Sequence, residues 1–137
     1  MSIIADNKIP FLKGVLDEVA DLVYLPGRDI SSEHVREGDA LITRTRTFCD
    51  ASLLDGSGVK FIATATIGYD HIDTEYCARQ GITWTNAPGC NASSVAQYIL
   101  SVLLNIAKQD GIDLKDRSIG IIGVGHVGSK VEKISRA

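Results

Sequence analysis

Ser118-Ile119-Gly120-Ile121-Ile122-Gly123-Val124-Gly125-His126-Val127-Gly128 passes from an apolar run straight into a glycine-rich turn, and Ser129-Lys130-Val131-Glu132-Lys133-Ile134 continues it with helix-compatible residues. The glycine spacing is G-x-G-x-x-G. Alone, this spacing also fits an incidental glycine-rich turn; after a strand and before a helix, it favours the fingerprint of a dinucleotide site. Gly123 permits the tight turn, Gly125 lets a pyrophosphate approach the backbone, and Gly128 allows close packing of helix on strand. The free N–H groups of the helix start supply the anion-binding donors, so no lysine is required. On the spacing alone, Gly123, Gly125 and Gly128 are the candidate cofactor-binding residues, and His126, at a variable position of the loop, is assigned no chemistry. The acidic residue expected ~20 positions further on, which separates NAD from NADP, falls outside residues 1–137.

Working back from that motif, the first 90 residues alternate short apolar runs with amphipathic stretches bounded by Gly, Asp, Ser or Asn. This is the rhythm of βα units around a parallel sheet. Strands are expected at Ile3-Ile4-Ala5, from Asp21 to Leu25, and at Ala40-Leu41-Ile42, Phe61-Ile62-Ala63 and Ile82-Thr83-Trp84. Runs this short and apolar suit strands covered on both faces. The apolar spacing of Phe11, Leu12, Val15 and Leu16 predicts a helix over residues 10–18. Ser31-Ser32-Glu33 is suited to cap a short helix, Asp50 to begin one through Leu53-Leu54, and Asp73 to open one carrying Tyr76, Cys77 and Gln80.

Between the two patterns, residues 93–108 leave only a thin polar line through Ser94, Gln97, Ser101, Asn105 and Lys108. A helix apolar nearly all round is buried on two sides. Either it is a core helix of one domain, or it runs between two domains or into a dimer interface.

Composition bounds the function. The 137 residues carry 14 Lys+Arg against 17 Asp+Glu, a formal charge of −3, so nothing in the overall balance favours nucleic acid. No apolar run approaches the ~18–20 residues of a membrane span, and the start Met1-Ser2-Ile3-Ile4-Ala5-Asp6 lacks a signal-peptide pattern. A cytoplasmic location is the expectation. Cys49, Cys77 and Cys90 are widely spaced and odd in number, which fits reduced thiols, mostly packing groups, better than a disulfide framework or a zinc site.

Two further stretches carry candidate chemistry. Thr64-Ala65-Thr66-Ile67-Gly68-Tyr69-Asp70-His71 follows the fourth strand, where ligands of open α/β sheets sit. Small residues and Gly68 leave N–H groups open to a carboxylate, while a plain loop with Asp70 or Asp73 as helix cap is the competing reading. Ligands from one short loop are too few for a metal site at His71, and His34 reads as a residue on a solvated helix face. After the third strand, Arg44 and Arg46 in Thr43-Arg44-Thr45-Arg46-Thr47 are suited to bidentate recognition of carboxylate or phosphate; surface solubility explains them equally well.

Taken with Tyr24-Leu25-Pro26-Gly27-Arg28 and Asn86-Ala87-Pro88-Gly89-Cys90-Asn91, the loop at residues 64–71 and the glycine motif make the chain resemble the D-isomer-specific 2-hydroxyacid dehydrogenases over its whole length. The resemblance implies an α/β protein: a flavodoxin-like parallel-sheet substrate domain over residues 1–92, an interdomain or dimer helix over 93–111, and the first strand and helix start of a Rossmann NAD-binding domain over 112–137. It implies a homodimer that oxidises a small phosphorylated hydroxyacid, 4-phospho-D-erythronate, with NAD as hydride acceptor. Thr45 and Thr66 resemble the family's substrate-contacting residues. On that footing the backbone from Thr66 to Asp70, with Gly68, is expected to receive the substrate carboxylate, and Thr45, with Arg44 or Arg46, to donate toward its anionic end groups. Gly125, His126 and Val127 resemble the segment beside the NAD pyrophosphate, and only through this resemblance do His126 and Val127 join the three glycines as candidate cofactor-binding residues. Gln97 stands where the family often has Glu. The family's catalytic Arg, its acidic partner and its acid/base His follow the glycine motif, so no catalytic residue is placed within residues 1–137. A non-catalytic binding or dimerisation module, or a portion of another D-2-hydroxyacid dehydrogenase, are the alternatives.

Overall fold

The computed structural model describes residues 1–115 and 117–136; Asp116, in the polar run before the glycine motif, and Ala137 lie outside the described residues. The chain divides into two compact units, Met1–Ala87 and Pro88–Ala137.

In the first unit, β1 (Ser2–Asp6), β2 (Asp21–Leu25), β3 (Ala40–Thr43), β4 (Phe61–Thr64) and β5 (Thr83–Thr85) form one sheet in the order β2-β1-β3-β4-β5. Every ladder is parallel. Ile4, Leu41 and Ile62 stand in register across the three inner strands and are buried completely. Against this row pack Val35, Cys49, Leu53, Leu54, Val59, Tyr76 and Cys77, contributed largely by α1 (Ser32–Val35), α2 (Ala51–Leu54) and α3 (Thr74–Gln80). As expected of parallel strands, β1 buries consecutive residues from Ile3 to Asp6. Edge strand β2 instead exposes Asp21 and Val23.

Local chemistry sets the helix starts. The Asp50 carboxylate accepts from the N–H groups of Ser52 (2.9 Å) and Leu53 (3.3 Å), and that of Asp73 accepts from Tyr76 (2.8 Å). Each satisfies donors a first turn leaves unpaired. At α1, His34 is exposed as expected, and its Nδ1 accepts the Ser31 N–H at 3.2 Å. Gly81 ends α3 in the left-handed conformation.

The helix expected over residues 10–18 is absent. A series of turns replaces it, with the Val15 and Val19 N–H groups bonded to the carbonyls three residues back. Phe11 (φ 62°) and Gly14 (φ 88°) are both left-handed, which a continuous α-helix does not admit. Phe11 is left 95% exposed.

In the second unit, α4 (Ala92–Asp110) packs on α5 (Gly128–Ser135). The strand expected over residues 118–122 does not form, and Ile122 is fully exposed. Strand geometry needs a hydrogen-bonded neighbour, and no described residue pairs with this segment. Nor is α4 buried on two sides: only Ala92 and Ala96 are enclosed, while Tyr98, Val102, Leu104 and Ile106 are exposed.

Candidate functional site

Strand order fixes where a site forms. In β2-β1-β3-β4-β5 the direction of succession reverses between β1 and β3, and open parallel sheets bind ligands at the carboxyl ends of strands at such a point. A cavity of about 460 Å³ lies there, lined by Lys8, Arg28, Arg44, Thr45 and Arg46, with Asp6 and Asp29 and the Pro26-Gly27 backbone.

Three loops are tied together around it. The Thr47 hydroxyl donates to the Gly27 carbonyl at 2.8 Å, joining the loops after β3 and β2. Arg44 Nη1 donates to the Lys8 carbonyl at 3.3 Å, joining the loops after β3 and β1. Asp6 is buried, and one carboxylate oxygen accepts the Lys8 N–H at 2.8 Å. Gly27 packs so closely on Asp6 and Thr47 that a Cβ there would collide with the Asp6 carboxylate.

The loop after β4 follows the carboxyl end of the strand next to β3. Thr66 Oγ1 donates to the Gly68 carbonyl at 2.9 Å and lies 2.7 Å from Thr64 Oγ1, which in turn lies 3.0 Å from His71 Nε2. A hydroxyl has one proton, so Thr64 must donate to Thr66 and His71 must carry its proton on Nε2. Burial holds the His71 pKa below its ordinary 6.5, against the opposing charge of Asp70, which keeps the ring neutral in this role. The N–H groups of Ile67, Gly68 and Tyr69 donate to nothing among the described residues. Asn86 Nδ2 braces the loop through the Ile67 carbonyl at 2.7 Å.

A pH effect follows from the buried imidazole. A histidine whose pKa is depressed in the folded state stabilises that state above its unfolded pKa, and the contribution is lost as pH falls below about 6.5. In the complete protein, amide exchange of residues 64–73 is expected to accelerate between pH 7 and 5.5 relative to the rest of the first unit. His71→Gln, which retains a donor and cannot charge, should remove that difference.

The strand expected before the glycine loop is missing, but the turn and the close approach that the spacing implies are present. Gly123 is left-handed (φ 90°), and a Cβ on buried Gly128 would strike the Gly123 carbonyl oxygen. Nothing stands within 4 Å of the Cβ position of Gly125. The N–H groups of Gly125, His126 and Val127 have no acceptor among the described residues, and α5 begins at once with Gly128. The residues present therefore fit a dinucleotide pyrophosphate. The His126 ring turns instead onto Gly89, whose own left-handed backbone (φ 73°) and missing Cβ make room for it.

Of the substrate candidates, Arg44, Thr45 and Arg46 share one cavity, whereas Thr66 and Gly68 lie on the neighbouring loop and do not line it. Sequence reading did not single out Lys8 or Arg28; their signal is that each follows closely on the carboxyl end of a strand. Cys49 and Cys77 are packing thiols. Burial, with Cys77 and Asp50 nearby, pushes Cys49 up to about 12, and burial also raises Cys77. No group of three or more potential ligands for a metal ion occurs among the described residues, and no described helix is long and apolar enough to cross a membrane.

Residues 3–130 match the profile of the D-isomer specific 2-hydroxyacid dehydrogenase, catalytic domain. Over 137 residues the chain is 58% identical to an erythronate-4-phosphate dehydrogenase of Bacteroides fragilis, covering 99% of this chain and 39% of that protein. It is 45% identical to the Porphyromonas gingivalis protein of the same name, covering 100% of this chain and 37% of the other. The chain thus spans about two-fifths of the length of the curated relatives it matches. Among solved structures, the NAD+-bound 3-phosphoglycerate dehydrogenase of Entamoeba histolytica superposes with a TM-score of 0.74 at 26% identity, over 99% of this chain and 50% of that one.

Proposed function

The chain belongs to the D-isomer-specific 2-hydroxyacid dehydrogenase family, and from that premise we propose that the complete protein oxidises 4-phospho-D-erythronate at its 2-hydroxyl to 2-oxo-3-hydroxy-4-phosphobutanoate, a step toward pyridoxal phosphate. The observation that carries this reading is the cation-lined cavity at the β1/β3 switch point, set beside a loop with open backbone N–H groups. The relatives named for that activity support the choice of substrate.

In this reading residues 1–92 are the substrate domain, 93–111 the helix leading out of it, and 112–137 the start of the NAD-binding domain. The N–H groups of Ile67, Gly68 and Tyr69 receive the substrate carboxylate. Thr66 keeps its proton on the Gly68 carbonyl, so toward substrate its oxygen is an acceptor, suited to a hydroxyl. Arg44, Thr45 and Arg46 donate toward the anionic groups further along the substrate. Gly123, Gly125, His126, Val127 and Gly128 hold the pyrophosphate of NAD, which accepts the hydride when bound. The catalytic cation and acid/base lie outside residues 1–137. We place the enzyme in the cytoplasm as a homodimer, with the exposed Tyr98, Val102 and Ile106, which share one face of α4, covered in the assembly.

The test is direct. Complete protein supplied with 4-phospho-D-erythronate and NAD+ is expected to form NADH. Efficient turnover of another 2-hydroxyacid with none of this one would overturn the substrate while leaving the family intact.

A further inference from the structure

We propose that the cavity between the loops of β1, β2 and β3 is a phosphate-recognition subsite in which Lys8 and Arg28, acting with Arg44 and Arg46, make the enzyme prefer a phosphorylated hydroxyacid to its unphosphorylated counterpart. This inference rests on the substrate reading above and adds to it the residues that select the phosphate.

Charge is the first support. The chain carries a formal −3, yet four cations line this one cavity against two carboxylates. Such a local reversal concentrates an anion where the whole molecule would repel it. Its net positive balance matches a phosphate monoester, which carries about −1.5 to −2 at neutral pH.

Availability is the second. Among the described residues the two ion pairs are local to helices, Arg79 with Glu75 in α3 and Arg136, just past the end of α5, with Glu132. Among the described residues none of the four cavity cations forms an ion pair with a carboxylate, Asp29 of the same cavity included. Asp6 faces the same space, but it is buried, bonded to the Lys8 N–H and packed on Gly27, where it orders the loop instead of pairing a side-chain cation.

Construction is the third. Lys8, Arg28 and the two remaining arginines come from three separate loops that are joined by specific hydrogen bonds, Arg44 to the Lys8 carbonyl and Thr47 to the Gly27 carbonyl. Substituting a side chain for Gly27 would push the Arg28 loop off Asp6. Cations meant only for solubility need no such cross-bracing. Guanidinium groups suit a phosphate because their donors are fixed in a planar fork, and a lysine adds a point charge.

The test uses the complete protein with NADH bound, which blocks oxidation, and measures the Kd of 4-phospho-D-erythronate and of D-erythronate for the parent, Lys8→Ala and Arg28→Ala. Each substitution is expected to weaken the phosphorylated ligand about tenfold and to leave the unphosphorylated one within about twofold. Arg28→Lys should recover part of the loss. Equal weakening of both ligands, or no change in either, overturns the subsite. If the parent binds the phosphorylated ligand tightly and both alanine variants match it, the subsite alone is wrong. A parent that binds neither ligand overturns the proposed substrate together with the subsite.

Discussion

A polypeptide of residues 1–137 is expected to form no NADH above a blank from 4-phospho-D-erythronate and NAD+, under conditions in which the complete protein turns over. Hydride departure from a secondary alcohol needs a base for the hydroxyl proton and a positive group on the developing carbonyl oxygen. A positioned base contributes roughly 10²–10⁴-fold and a preorganised charge on the order of 10²–10³, so losing both removes about 10⁴–10⁷ of the rate. The histidines present do not replace the base. His71 is buried, neutral and already gives its Nε2 proton to Thr64. His34 Nδ1 is taken by Ser31 at the start of α1, and the His126 ring lies on Gly89. NADH production by the purified 137-residue chain would show that one of these groups does the work after all.

The parts of this structure that were legible in sequence are those decided by neighbours along the chain. Ile3-Ile4-Ala5, Ala40-Leu41-Ile42 and Phe61-Ile62-Ala63 are apolar, short and bounded, and each lies within an inner strand. Asp50 and Asp73 cap the helices they precede, because a carboxylate there meets N–H groups only two or three residues away. Two elements failed for opposite reasons. Residues 10–18 have helical apolar spacing, but that spacing is blind to the left-handed backbone at Phe11 and Gly14. Residues 118–122 have strand composition, yet a strand is completed by a partner and none of the described residues supplies one. Helix α4 was legible as apolar, and the same limit applies: composition records that Tyr98 and Leu104 want cover without saying what provides it.

The site divides in the same way. Arg44 and Arg46 drew notice as paired cations directly after a strand. Lys8 and Arg28 are single charges in polar loops, 20 positions apart in sequence. Only the β2-β1-β3 order brings those loops to one cavity. His71 looked like part of a capping loop; its link through Thr64 to Thr66 needed the buried end of β4 to become visible.

Removing either arginine of the loop after β3 is the sharpest test of the anion site as a whole. A charge-assisted hydrogen bond is worth roughly 1.5–3 kcal/mol, so Arg44→Ala or Arg46→Ala in the complete enzyme should weaken 4-phospho-D-erythronate by about 10- to 150-fold. The two are not expected to be equal. Arg44 is half-buried and also holds the Lys8 carbonyl, so its loss both deletes a donor and releases the neighbouring loop. Arg46 is exposed, its charge is better screened by water, and its effect should lie at the lower end. Arg44→Lys should recover little, because an ammonium lacks the fork that spans carbonyl and ligand together. The change should fall on affinity, with turnover at saturating substrate nearly preserved, since neither group touches the reacting carbon in this reading. Arginines that only keep a loop soluble predict under about 0.5 kcal/mol in stability and nothing in binding. Titration of the substrate at fixed NAD separates the two: if both alanine variants bind as tightly as the parent, the switch-point cavity is not where the anion sits, and residues outside 1–137 must hold it.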